Sequence, residues 1–269
     1  MQAFLVFLMT FGHFLGAADM DRDVQGNIYV VDRTANAVVE FSPAGDSIHA
    51  VSGFGNGDLQ FDEPVAVCAS RGNDVYVADL NNHRIQRFNR TLDYVSTIYT
   101  REDPDERKRI GYPRDVVVTR QGDLLVIDGE NHRVAKVNVL GQVERSFGDI
   151  KAGWGTLVDP QRIEVDESDN IYVLDRGRVV KFDPFGSFVA QFPMSANGPL
   201  AIAAAQDTMT VTYQHEHDIA LIGLPEFAPV ITYSVEGAPV TALFMGDRIV
   251  ALEAGRVAVY TIPKEMRPR

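Results

Sequence analysis

The sequence predicts an all-β fold, a six-bladed β-propeller, and three observations carry the prediction. A short apolar motif closed by an acidic residue recurs along the 269-residue chain at spacings of roughly 40 to 50 residues, the period of propeller blades. Each repeat contains several short runs rich in Val, Ile, Tyr and Phe between turn-forming residues. No segment combines a sustained helical period with helix caps.

The motif is clearest in the first four repeats. It reads Asn-Ile-Tyr-Val-Val-Asp at residues 27–32 and recurs at residues 74–79, 123–128 and 170–175. Two weaker copies, at residues 209–213 and 248–253, close with tyrosine and glutamate. A single such unit cannot cover both of its faces, and six units packed in a ring bury those faces against one another.

Each unit has the same internal order of four strands. An apolar run, often begun by a proline such as Pro64 or Pro113, leads to a turn, the motif strand, a second turn and two further strands. The repeats continue without a linker, which predicts a single domain over residues 18–263 and a C-terminal tail at 264–269. Unit six shows only three strands, so the last blade is predicted to be incomplete unless another segment supplies its fourth strand.

Two segments resemble a known repeat family. Asp79–Ile85 and Asp128–Val134 are similar to the Asp-x-x-Asn-His-Arg-Val signature of NHL repeats. The resemblance covers nearly the whole chain from about Ala17, although unit four carries a shortened turn at Asp175–Val179, which Glu253–Val257 repeats in unit six. It implies a six-bladed propeller that serves as an interaction platform.

Composition excludes several classes of protein. The 25 Lys and Arg residues stand against 37 Asp and Glu residues, and the net charge of −12 argues against a nucleic-acid partner, because that affinity depends on basic side chains. The single cysteine, Cys68, allows no intrachain disulfide and no cysteine metal cluster, and it is expected to be a small buried side chain. No membrane span is predicted, and the sequence sets no oligomeric state.

Residues 3–17 are strongly apolar and allow two interpretations. Their length suits a secretory signal peptide, which predicts a secreted or periplasmic protein, associated with the bacterial envelope, that begins near Ala18. The segment before them, however, has no Lys or Arg. In the alternative, residues 7–12 form the missing outer strand of unit six, and the protein is cytoplasmic.

The histidines invite a metal-site hypothesis that the repeat weakens. His215 and His217 lie close to carboxylates, as zinc ligands do, and they are weak candidates for metal ligands. Ungapped alignment of the units places His217 over His83 and His132, at a turn position. A structural role is therefore favoured, and no cofactor is predicted.

Charged residues interrupt the repeat where the inner strands begin. Asp19, Asp115 and Arg162 occupy equivalent positions, and Arg114 adjoins them. They predict a mixed-charge funnel for a polar or charged small ligand, and the alternative is a salt-bridge network within the channel. The recurring aspartates at positions 32, 79, 128 and 175 predict a different role, as hydrogen-bond acceptors that hold the turns that follow them.

Two connections near the channel mouth also depart from the repeat. Residues 99–110 are long and charged and include Arg107 and Arg109, and residues 151–158 carry Trp154, the only tryptophan. Long loops on a rigid scaffold are frequent binding sites, and the alternative is a solvated charged loop without a role. An exposed tryptophan is a frequent contact anchor, and the alternative is that Trp154 covers the top of a blade.

These features favour a non-catalytic scaffold that binds a protein, peptide or polar ligand on the face of the channel mouth. The alternative is a metal- or histidine-dependent lyase or hydrolase at that mouth, since similar propellers include lactonases and peptide-amidating lyases. Its candidate residues are His215, His217, Asp115 and Arg162. Fold alone does not separate these functions.

Overall fold

The computed structural model describes residues 3–194, 198–224 and 226–267, and it is all-β. The chain begins with strands β1 (Ala3–Phe4) and β2 (Val6–Phe11). Blade 1 contains β3 (Ala17–Arg22), β4 (Ile28–Asp32), β5 (Ala37–Phe41) and β6 (Ser47–Ser52), and blade 2 contains β7 (Pro64–Cys68), β8 (Asp74–Asp79), β9 (Arg84–Asn89) and β10 (Tyr94–Tyr99). Blade 3 contains β11 (Pro113–Val118), β12 (Leu124–Asp128), β13 (Arg133–Val137) and β14 (Val143–Phe147).

The second half of the chain repeats this plan. Blade 4 contains β15 (Pro160–Val165), β16 (Ile171–Asp175), β17 (Arg178–Phe182) and β18 (Phe188–Pro193). Blade 5 contains β19 (Ala201–Ala205), β20 (Thr208–Tyr213), β21 (Asp218–Gly223) and β22 (Ala228–Ser234), and blade 6 contains β23 (Pro239–Phe244), β24 (Arg248–Glu253) and β25 (Val257–Thr261). Neighbours within each blade are antiparallel, and each inner strand packs against the inner strands of both adjacent blades. The predicted six-bladed propeller is confirmed.

The burial of each strand follows from its place in the blade. The second strands β4, β12 and β16 are buried at every position, because adjacent blades cover both of their faces. This explains why the motif is a continuous apolar run instead of an alternating one. The outer strand β18 alternates between half-buried and exposed residues, since one of its faces meets solvent.

The N-terminal segment completes the last blade. Strand β2 pairs antiparallel with β25, from Val6 opposite Thr261 to Phe11 opposite Val257, so blade 6 has four strands. Strand β1 pairs in parallel with β22 of blade 5. A bulge between Phe7 and Met9 interrupts the alternation of the strand, which is why an apolar run is accommodated there. The closing-strand interpretation describes this arrangement, and export of the chain stays a prediction.

Residues beyond the last strand pack onto the propeller. A 3-10 turn spans Lys264–Met266. The hydroxyl of Tyr233 donates a 2.7 Å hydrogen bond to the carbonyl of Met266, and Arg267 pairs with Asp247 at 3.3 Å. Within the described part of the chain, no helix has both the length and the apolar character needed to cross a membrane.

Candidate functional site

The propeller has two faces that differ in the turns they carry. We call upper the face on which each inner strand begins. The connections between blades and the turns between second and third strands lie there, because neighbouring strands run in opposite directions. The turns after the inner strands and after the third strands form the lower face. Residues 53–63, 100–112 and 148–159 are therefore successive connections on the upper face.

The motif aspartates hold the upper connections in place by accepting hydrogen bonds from the backbone amides of those connections. Asp79 accepts a 2.8 Å hydrogen bond from the amide of Asp62, in the connection that precedes its own blade. Three other blades repeat the contact with donors Leu15 to Asp32, Gly111 to Asp128 and Val158 to Asp175. Asp32 and Asp128 also accept hydrogen bonds from the amides of Ala35 and Asn131 in the turns that follow them, which confirms the predicted structural role.

The arginine of the repeat extends this anchor. Arg84 is 1% exposed and pairs with Asp79 through a 2.7 Å contact from its Nε. Its terminal nitrogens donate to carbonyls of the 53–63 connection, at residues Asn56, Gly57 and Gln60. In the next two blades, Arg133 donates to the carbonyl of Arg109 and Arg178 to that of Thr156. Ion pairs with a buried aspartate thus fix all three connections.

The repeat histidines occupy one backbone position. His83, His132 and His217 have φ values of 49°, 49° and 55°, which places them in the left-handed region, where His and Asn are enriched among residues other than glycine. Asn36, at φ 51°, is their counterpart in blade 1. The ungapped alignment of His217 with the other repeat histidines is therefore confirmed. His215 lies on the same turn and is exposed.

His83 has an additional structural contact. Its Nδ1 accepts a 2.9 Å hydrogen bond from the amide of Tyr112, and its ring meets the Tyr112 ring edge-on with centroids 4.4 Å apart. Partial burial, aided by the charge of Arg101, lowers the pKa of His83. The neutral ring that results keeps Nδ1 as an acceptor, so His83 fixes the end of the 100–112 connection.

The anchored connections display apolar side chains to solvent. Phe54 is 72% exposed, Ile150 88% and Trp154 79%. Tyr99 and Tyr112, at the two ends of the 100–112 connection, are also exposed. These side chains lie on three successive blades, and exposed apolar residues grouped in this way are a feature of interaction surfaces.

The charged loop at residues 101–109 is flanked by two residues that are hydrogen bonded to each other. The amide of Ile110 donates a 2.8 Å hydrogen bond to the carbonyl of Thr100, and the Thr100 hydroxyl contacts the carbonyls of His83 and Ile110. Residues 101–109 are therefore an excursion whose ends are already joined. Arg107, exposed, pairs with Asp105, and Arg109 pairs with Glu106.

The predicted funnel is divided between two levels. Arg114 pairs with Asp159 on the upper face, where both line a cavity of about 580 Å³ together with Arg162. Arg162 also lines the narrow inner channel, as do Asp19 and Asp115. The structure brings Asp19, Asp115 and Arg162 together and places Arg114, Arg107, Arg109 and Trp154 nearer the rim. Ligand binding by these residues stays a prediction.

The channel carboxylates connect adjacent blades. Asp19 accepts a 3.0 Å hydrogen bond from the amide of Val67 in blade 2, and Asp115 accepts a 2.8 Å bond from Ile163 in blade 4. Asp21 accepts a 2.7 Å hydrogen bond from the amide of Ala69 in blade 2. These contacts give the channel residues a structural role, which is the simpler of the two predicted interpretations.

Burial controls the charge of this cluster. It raises the pKa of Asp115 to about 7 and that of Asp19 to about 6, against an opposing effect of the Arg162 guanidinium. Burial and nearby carboxylates raise the pKa of Glu164 well above its usual value. Arg162 donates a 2.9 Å hydrogen bond to the carbonyl of Ala18. Among the described residues that line the channel, Arg162 is the only cation, and Asp19 and Asp115 are partly protonated near neutral pH.

The histidines and carboxylates of the described chain form no cluster of three or more that is arranged to hold a metal ion. His215 and His217 lie on an upper turn of blade 5, away from the inner strands.

The lower face has a further feature that the sequence did not predict, a cavity of about 910 Å³. Its arginines belong to four different turns and strands, and no local motif marks them.

Comparison with known proteins agrees with the repeat geometry. The model of the NHL repeat matches residues 61–88 and 111–137. Each segment runs from the end of an anchored connection through the Asp–Arg pair of its blade, Asp79 with Arg84 or Asp128 with Arg133. The chain is a six-bladed propeller that contains NHL repeats in blades 2 and 3.

Two curated relatives share part of this NHL propeller. Protein brain tumor of Drosophila melanogaster is 33% identical over 146 residues, covering 53% of this chain and 13% of that protein. The B-box type zinc finger protein ncl-1 of Caenorhabditis elegans is 33% identical over 145 residues, covering 53% of this chain and 16% of its own. The chain thus matches a small part of the length of these relatives.

Solved structures share the fold across nearly the whole NHL propeller. Virginiamycin B lyase from Staphylococcus aureus has a TM-score of 0.65 at 14% identity, with 95% of this chain and 99% of that chain covered. A nidogen/laminin complex contains a chain with a TM-score of 0.64 at 14% identity, with coverage of 81% and 80%. At these identities, the likeness concerns the fold alone.

Proposed function

We propose that this NHL propeller is a non-catalytic scaffold that binds a protein or peptide partner on its upper face. One observation carries the proposal. Three successive connections expose Phe54, Tyr112 and Trp154, while Asp–Arg pairs with a buried aspartate fix the backbone of the same connections. A side chain on a fixed backbone loses less conformational entropy when it is covered, which favours binding.

The shape and chemistry of the face support a peptide or protein partner. The same face carries an upper cavity of about 580 Å³, lined by Arg33, Arg114 and Arg162 among others, which can receive a projecting side chain or a polar ligand. Arg101 stacks over the Tyr112 ring at 5.5 Å and pairs with Glu130, so apolar and charged groups alternate at the rim. Aromatic anchors within a polar rim are typical of protein interfaces.

The lyase or hydrolase alternative rests on likeness of fold. One of the similar solved structures is a catalytically inactive variant of virginiamycin B lyase with quinupristin. The lyase activity belongs to that protein. In this chain the candidate residues are separated, because His215 and His217 lie on a blade 5 turn and Asp115 lies in the inner channel. The scaffold function therefore has the better support from geometry.

Excising residues 101–109 is expected to abolish capture of the partner without unfolding the propeller. A Gly-Gly link can join Thr100 to Ile110, because those residues are already hydrogen bonded. The excision removes the Arg133 contact to Arg109, and we expect a loss of about 1 kcal/mol in the free energy of unfolding. Capture is measured by affinity purification from the native cell, and stability by urea unfolding.

A matched pair of point variants serves as the control for that experiment. Trp154→Ser on the upper face and Phe185→Ser on the lower face remove similarly exposed side chains, at 79% and 74%. Only the first is expected to weaken capture. Capture that survives both the excision and Trp154→Ser would overturn the proposal.

A further inference from the structure

The cavity on the lower face, which we call the lower bowl, is larger than the cavity on the upper face. The lower bowl, of about 910 Å³, is lined by the turns that follow the inner strands of all six blades. A cavity of this size falls within the range of small-molecule sites. The channel separates it from the upper cavity, with only about 20 Å³ of free volume between them.

Long contacts between blades fix the wall of the lower bowl. Arg71 of blade 2 reaches past blade 3 to blade 4, where it pairs with Asp169 at 3.1 Å and donates to the carbonyl of Asp166 at 2.8 Å. The amide of Arg120 in blade 3 also donates to Asp169, at 3.0 Å. One carboxylate thus joins the turns of three blades, and the bowl is formed before any ligand arrives.

Most charges of the bowl are already neutralised. Arg71 has Asp169, Arg87 has Asp74 at 2.7 Å, and Arg120 has Glu167. Among the residues that the structure describes, Arg22 has no carboxylate partner. Its guanidinium lines the bowl and is half-buried, so it is the cation whose charge a ligand can meet.

The carboxylates at the floor do not oppose an anion strongly. Burial raises the pKa of Glu164 well above its usual value, so this side chain ionises less readily than an exposed carboxyl does. Asp166 accepts hydrogen bonds from the amides of Ser168 and Asn170, the Asn170 side chain and the Tyr172 hydroxyl. These donors disperse the charge of Asp166.

The remainder of the lining is apolar and continues sideways. Val24 and Val139 are exposed, and Phe244 and Met245 contribute from blade 6. A groove of about 160 Å³ adjoins the bowl, with Tyr76 and Val139 lining both cavities, and Ile98 and Leu140 extend its apolar surface. An apolar body can therefore lie beside the charged group that Arg22 receives.

We infer that the lower bowl is a binding site for a small amphipathic monoanion, whose anionic group pairs with Arg22 and whose apolar body covers Val139 and the adjoining groove. This site lies on the opposite face from the proposed partner surface. The two proposals therefore stand or fall independently.

Three probes of equal chain length test the charge requirement by isothermal titration of the full-length protein. Octanoate carries the anion, octan-1-ol is neutral, and octylammonium is cationic. Octanoate is expected to bind at least about tenfold more tightly than octan-1-ol, as a charge-assisted contact provides, and octylammonium more weakly than either. Equal affinities for octanoate and octan-1-ol, or no saturable binding of octanoate, would overturn the inference.

Variants then assign the contact to particular residues. Arg22→Ala should remove the preference for octanoate over octan-1-ol, and Arg22→Lys should keep most of it. Val139→Asp should weaken both probes. Arg33→Ala, an arginine paired with Glu63 on the upper face, is the control and should change neither. The fold of Arg22→Ala is checked by its melting temperature, and a preference for octanoate that persists in this folded variant would contradict the assignment.

Discussion

Replacing Arg84 with alanine is expected to lower the free energy of unfolding by about 3–5 kcal/mol, the range for breaking a buried ion pair by removal of one partner. Arg84 is fully enclosed, and its loss leaves Asp79 buried without its cation. Three carbonyls of the 53–63 connection lose their donors in the same step. Urea unfolding followed by circular dichroism measures the change.

The same pair in another blade provides a matched control for Arg84. Arg256 and Glu253 occupy the corresponding turn of blade 6 at 2.6 Å, but the Arg256 side chain is 48% exposed. Arg256→Ala should therefore cost about 1 kcal/mol or less, as an exposed pair does. Equal losses of unfolding free energy in the two variants would show that burial does not set the strength of the Asp–Arg or Glu–Arg pair.

Deleting residues 1–11 is expected to lower the free energy of unfolding by on the order of 5 kcal/mol, since one outer strand and its packing disappear. Strand β2 pairs along β25, and its inward residues Met9 and Phe11 pack against the core. The Phe11 ring lies 5.1 Å from that of Phe41 in blade 1. The deletion therefore opens the junction between blades 6 and 1.

Two substitutions in the strand separate closure from a general effect of truncation. Phe11→Ala should lose about 2–3 kcal/mol of stability, whereas Leu8→Ala, at the exposed bulge, should change it by less than about 0.5 kcal/mol. A chain that starts near Ala18 and unfolds at the same urea concentration as the full chain would contradict closure by β2. That comparison also bears on the signal-peptide prediction.

The fold was predictable because the same pattern of apolar runs and turn residues recurs six times along the chain. The continuous apolar motif is buried on both faces at residues 28–32 and in the equivalent strands of blades 3 and 4, and turn residues bound it at fixed offsets. The role of residues 6–11 was less predictable, since a bulge at Leu8 disturbs the alternation that marks an outer strand. Secretory segments and buried strands both require apolar runs.

The site was predictable in part. The excursion at 101–109 followed from a break in the repeat, whereas the sequence left open whether Trp154 is exposed or covers the top of a blade, and the structure exposes it. The sequence did not show that Asp19 and Asp115 serve the amides of neighbouring blades, because Val67 and Ile163 each lie 48 residues further along the chain. The lower bowl was missed for the same reason: Arg71 and Asp169 meet only after a whole blade has folded between them.

The most direct test of the central claim is site-specific photo-cross-linking from both faces. A benzophenone amino acid is placed at Trp154 or Phe54 on the upper face, and at Phe185 or Leu140 on the lower face, all four being strongly exposed positions. The account predicts that irradiation in the native cell joins one partner to the protein from positions 154 and 54 and not from 185 or 140. Cross-links to that partner from the lower positions alone, or equally from both faces, would contradict it.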